Sequence, residues 1–268
     1  MTNPDSPDRE AQITAARAEI DQIDMQILAA IGRRMALADV VAAAKDAAES
    51  PLRPAREVQL LRRLIEKPPP GMEREVVLLI WRALIGANLR RQRPLEVVIA
   101  GGLDAVRQFD AARAHFGPTI KISREPDVRT ALIKIAESRD IAGIVPWPGA
   151  AGPGAWWGMM SESRFHGVMV GAALPMMAQE PEFALVASGL RLAPAGEDRT
   201  LLVGFDQRFR LTRALSEAGL TGRETARGAN HAVLVTVDGF LAANDPRRDA
   251  LAIAGLDGVR VVGTFSQL

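Results

Sequence analysis

Seven residues in the first third of the chain have the types needed to grip a small anion: Arg17, Arg34, Lys45, Arg56, Glu57, Asn88 and Gln92. Arg34 and Lys45 stand eleven positions apart, almost three whole turns of a helix, so they lie on nearly one face. Arg17 precedes Arg34 by about 25 Å of helix axis and roughly a quarter turn. It cannot serve the same pocket of its own chain, but in an antiparallel dimer it can serve the partner's. Asn88 and Gln92 are an i,i+4 pair and face one way. A single helical arginine is ordinarily a solvated surface charge. The set carries the argument: four cations, one carboxylate and two amides, with no acidic residue set against each cation. Such a group suits a small dianion, because arginine holds a carboxylate through two parallel hydrogen bonds.

Three helices must position these residues. From Ile13 to Lys45 there is no proline and one glycine, and Ile13, Ala16, Ile20, Ile23, Ile27, Ile31, Met35 and Ala38 recur at helical spacing. That predicts one helix about 50 Å long. Two short helices of its own chain cannot cover such a stripe, so a partner subunit is implied. Ser50-Pro51-Leu52-Arg53-Pro54 breaks the pattern, Arg56 to Ile65 reads as a second helix, and Pro68-Pro69-Pro70-Gly71 stops it. Glu73 to Gln92 is a third helix, with an apolar face expected at Val76, Leu79, Ile80, Ala83, Leu84 and Ala87.

Ala16-Arg17-x-Glu19-Ile20-Asp21-x-Ile23-Asp24, Arg33-Arg34-Met35, Lys45, Arg53-Pro54-x-Arg56-Glu57 and Asn88-x-x-x-Gln92 together resemble the all-helical class of chorismate mutase. The resemblance implies an intertwined homodimer of three-helix chains that converts chorismate to prephenate by a Claisen rearrangement, with no cofactor and no metal. It also implies roles. Arg17 reaches into the partner's site and holds one substrate carboxylate, and Arg34 holds the other. Lys45 and Gln92 donate to the ether oxygen. Glu57 accepts from the ring hydroxyl, with Arg56 and Asn88 in support. Some members carry an acidic residue before the Arg-Glu pair; this chain has Arg53, which leaves the hydroxyl contact to Glu57. A unimolecular rearrangement needs orientation and fixed donors where charge builds. The scarcity of histidine, three in all and none before residue 93, is then expected.

Beyond Pro94 strands alternate with helices. The reading is strand 95–100, helix 104–116, strand 119–123, helix 127–137 and strand 141–145. A Gly/Pro/Trp loop follows, then strands near 166–173 and 183–187. Arg199 to Phe265 reads βαββαβ, the order of a ferredoxin-like unit. The fold class expected is therefore multidomain. Residues 1–12 form a disordered tail, 13–93 the helical domain, 95–190 a small α/β lobe and 198–268 the ferredoxin-like domain. Ile144-Val145-Pro146 and Phe183-Ala-Leu-Val186 resemble parts of prephenate dehydratase, and the last segment resembles its regulatory ACT domain. The lobe is about half the dehydratase length, and Pro181-Glu182-Phe183 stands where that family has its catalytic Thr-Arg-Phe. The lobe is read as degenerate, without dehydratase activity. Phe209-Arg210-Leu211-Thr212 stands where ACT domains have Gly-Ala-Leu-Val, which argues against an amino-acid effector and for a remnant role in dimerisation.

Bulk properties fit this reading. The chain has 268 residues, 48% hydrophobic and 24% charged, with a net charge of +1. Nothing in that balance favours nucleic acid or a membrane surface as partner. With no cysteine, disulfides, thiolate metal sites and a cysteine nucleophile are excluded. The first fifteen residues lack the apolar stretch of a signal peptide, and no apolar run approaches the roughly 20 residues of a membrane span. A cytoplasmic enzyme is expected. Two rivals remain: a bifunctional mutase-dehydratase, and a scaffold whose mutase fold only binds a partner enzyme.

Overall fold

The computed structural model describes residues 7–43 and 49–268, which fall into two units divided between residues 45 and 46. The first unit is one helix, α1 (Pro7–Ala43). It begins at Pro7 rather than Ile13, so residues 7–12 are helical and not part of a tail. Pro7 suits the first helical position because its missing N–H would be unpaired there anyway. Asp8 and Glu10 in the first turn complement the positive end of the helix dipole. Ile13, Ile20, Ile23, Met25, Ile27, Leu28, Leu37, Val40 and Val41 are all exposed. Lys45 lies outside the described residues.

The second unit opens with α2 (Pro54–Glu66) and α3 (Arg74–Gln92). Proline again starts α2, and Pro54, Glu57, Val58, Leu61 and Ile65 form its buried stripe. The buried residues of α3 are Val77, Arg82, Ile85, Gly86, Asn88 and Leu89. This corrects the sequence expectation for that helix: Val76, Leu79 and Ile80 are exposed. An apolar residue recurs on both sides of α3, and periodicity alone does not say which side meets the chain's own core.

A nine-stranded sheet follows in the order β2-β1-β3-β5-β4-β9-β6-β8-β7. Its first half is β1 (Glu96–Ala100), β2 (Lys121–Glu125), β3 (Ile141–Pro146), β4 (Val168–Leu174) and β5 (Phe183–Ser188). Helices α4 (Ala105–Phe116) and α5 (Val128–Glu137) belong to this half. The second half is β6 (Arg199–Phe205), α6 (Leu211–Glu217), β7 (Gly222–Arg227), β8 (Ala232–Asp238), α7 (Arg247–Ile253) and β9 (Asp257–Phe265). Its βαββαβ chain order and β9-β6-β8-β7 strand order are those of a ferredoxin-like unit. The halves join edge to edge where Val170 of β4 pairs with Gly263 of β9. A Cβ on Gly263 would stand 2.5 Å from both the Cβ and the carbonyl oxygen of Val170, so only glycine fits the seam.

Strand alternation sorts the core into layers. Val97 and Ile99 of β1 face α4 and share a core with Leu52, Val58, Leu61, Ile85 and Leu89. Val98, between them, packs on the opposite face with Leu132 and Ile135 of α5. The helices α2 and α3 are therefore built into the α/β unit, and the expected boundary near residue 94 falls between α3 and β1 inside one hydrophobic core. Leu211, Leu215 and Leu251 of α6 and α7 cover the second half of the sheet.

Candidate active site

On α1, Arg17 is exposed and Arg34 is half-buried. Burial lowers the pKa of the Arg34 guanidinium from its ordinary value, because a cation out of water is penalised unless an anion meets it. Its Nη1 has no hydrogen-bond partner among the described residues.

On α2 and α3 the groups are more enclosed. Arg56 is exposed, while Glu57 beside it is buried. Glu57 Oε2 accepts from Arg82 Nη1 at 2.6 Å. The sequence reading assigned Glu57 to a substrate hydroxyl and did not single out Arg82. Arg82 lies on the buried stripe of α3, three positions before Ile85, where a charge needs a partner; that stripe is not the face the apolar spacing marks, so nothing in the pattern singles it out. Arg82 Nε also donates to the His115 carbonyl at 2.7 Å, and Arg90 Nη1 donates to the Phe116 carbonyl at 3.1 Å. Two arginines of α3 thus satisfy the open carbonyl end of α4. Between them lies Gly86, where a Cβ would come within 1.9 Å of the Phe116 oxygen. Asn88 is buried with its Oδ1 unpaired among the described residues, and Gln92 is half-buried in the last turn of α3. Arg53 is tied to its own loop, through Glu49 at 2.5 Å, the Leu52 carbonyl at 3.0 Å and the Ser50 carbonyl.

Beyond α3 the described residues that the sequence singles out are engaged in packing or pairing, or lie exposed. Phe183 is buried in β5, Glu182 is ion-paired with Arg107, and Pro181 offers no hydroxyl. Trp156 and Trp157 are buried and donate to the carbonyls of Pro146 at 2.8 Å and Gly149 at 2.9 Å, so they pack the loop. Phe209, with φ of 53°, is exposed and lies under the Arg227 guanidinium at 5.0 Å. His166 and His231 are exposed.

Arg17 and Arg34 lie on α1 of the first unit, while Arg56, the enclosed Glu57, Asn88 and Gln92 lie on α2 and α3 of the second. Residues 16–93 match the family described as chorismate mutase type II, and all seven candidate residues fall within the match. That stretch is a chorismate mutase domain, fused to a mixed-sheet α/β region. No curated protein matches the chain significantly. Among solved structures, prephenate dehydratase from Streptococcus mutans is 15% identical, with a TM-score of 0.43 over 65% of this chain and 100% of that one. Prephenate dehydratase in complex with L-Phe from Arthrobacter aurescens is 11% identical, with a TM-score of 0.44 over 65% and 90%. GqqA, described as a novel type of quorum quenching acylase, is 12% identical, with a TM-score of 0.43 over 64% and 95%. Likeness at that level carries nothing about activity. Among the described residues no helix is long and apolar enough to cross a membrane.

Proposed function

We propose that the chain is a cytoplasmic, homodimeric chorismate mutase whose site is shared between two copies. The observation that carries this is the family match over residues 16–93, which encloses every residue of the anion-gripping set. In this reading Arg34 and the partner's Arg17 clamp the two substrate carboxylates, folding the enolpyruvyl arm over the ring. Lys45 and Gln92 stabilise the charge that builds on the ether oxygen as the C–O bond breaks. Glu57, held in place by Arg82 through one oxygen, meets the ring hydroxyl, with Arg56 and Asn88 beside it. Arg34 Nη1 and Asn88 Oδ1, unpaired among the described residues, support a polar ligand, since buried polar groups are normally satisfied. The exposed apolar side chains along α1, with Val76 and Ile80 of α3, support a second copy as their cover, since contiguous apolar surface is normally covered. No dehydratase step belongs to this reading, because Pro181 stands at the threonine position.

Lys45→Ala tests the site, and a mixture tests the sharing. Lys45→Ala is expected to lower turnover by about 10²–10³-fold, the usual loss for one such donor, and Arg17→Ala to be similarly impaired. Mixing the two variants after joint refolding restores activity, because one site of each heterodimer is then intact. A mixture no more active than its parts contradicts the shared site.

A further inference from the structure

A cavity of about 120 Å³ opens between α3 and α4, closed at one end by the segment after β4. Leu78, Leu79, Ala111, Leu174 and Met176 form apolar walls. Two polar side chains also line it, Arg82 and His115, exposed by only 2% and 4%. Each carries a nitrogen shielded from solvent and without a hydrogen-bond partner among the described residues: Nη2 of Arg82 and Nε2 of His115. A buried polar atom left unpaired costs about 1–3 kcal/mol, so two at one apolar cavity point to an absent polar ligand, one that accepts from the Arg82 N–H. Cavities on the order of 150 Å³ with apolar walls take a single benzene ring.

The charges already present restrict the head group. The Arg82 cation is balanced by Glu57 at 2.6 Å, and the carbonyl end of α4 disfavours an added anion. His115 is kept neutral, its pKa pushed well below the ordinary value by burial and then by the Arg82 charge. An ammonium would add a second cation beside the Arg82 guanidinium and leave its Nη2 still without an acceptor. We propose that this cavity binds a small, uncharged, single-ring molecule whose carbonyl oxygen accepts from Arg82 Nη2 and, in the tautomer that carries its proton there, from His115 Nε2.

The test is calorimetric titration of the full chain with acetophenone, with benzoate and benzylamine as charged counterparts of the same size. Acetophenone is expected to bind at least tenfold more tightly than either. Ala114→Trp, which fills the cavity from an exposed position on α4, should abolish binding. His115→Phe should weaken it about tenfold by removing one donor while keeping a ring of similar bulk. Unfolding curves of each variant establish that it is folded. Absence of acetophenone binding, equal binding of benzoate or benzylamine, or binding untouched by Ala114→Trp overturns the site. Because binding is read directly, failure here is separate from any failure of the mutase reading.

Discussion

Glu57 and Arg82 form a buried ion pair, and such a pair is costly to break from one side, by about 3–5 kcal/mol, because the remaining charge is left uncompensated. Glu57→Ala is therefore expected to lower the denaturant midpoint strongly, whereas Arg56→Ala, on an exposed neighbour, leaves it unchanged while lowering turnover. Equal stability of the two variants in urea unfolding would contradict the pairing. His115 gives a pH signature. Its folded pKa lies well below the ordinary 6.5, so as pH falls through about 6.5 the unfolded chain takes up a proton that the folded chain refuses. Stability is then lost progressively below that point, and the residue adds no pH dependence above it. His115→Phe should flatten the fall in unfolding midpoint between pH 7 and 5; an unchanged slope contradicts a buried neutral imidazole. The seven proposed site residues stand out by type and spacing in the sequence. Arg82 does not, because a cation in a helix reads as a surface charge until its burial against α4 is seen.

Gly86 shows how an element's context overrides its propensity. In an isolated helix Gly→Ala gains about 1 kcal/mol. Here the added methyl meets the Phe116 carbonyl, and overpacking typically costs about 1–3 kcal/mol. Gly86→Ala is expected to lower the melting temperature and loosen α3 from α4; a raised melting temperature would contradict that close approach. The elements themselves were readable: the strand and helix order from residue 95 to 265 follows from alternation and turn residues. The face of α3 was not. Val76, Leu79 and Ile80 form as good a helical stripe as Val77, Ile85 and Leu89, and only the sheet beneath shows that the second set is buried.

At the scale of the molecule, the α/β region is a single sheet joined at Gly263, and α2 and α3 are part of its core. The order of strands and helices through both halves is readable from the sequence, but the joining of their edges depends on one glycine in a strand, which reads as an ordinary small residue. The exposed isoleucines of α1 set the assembly prediction. In the proposed dimer, Ile27→Asp places a charge in the middle of that stripe and should shift it to monomer in sedimentation at micromolar concentration, with loss of turnover. A dimer that survives this change is not held by α1. The most direct test of the whole account is the loss of chorismate absorbance with the purified full chain, without added metal or cofactor, followed by analysis of the product. The account predicts turnover that ends at prephenate. Accumulation of phenylpyruvate would contradict the degenerate lobe, and a folded dimer that leaves chorismate untouched would contradict the mutase itself.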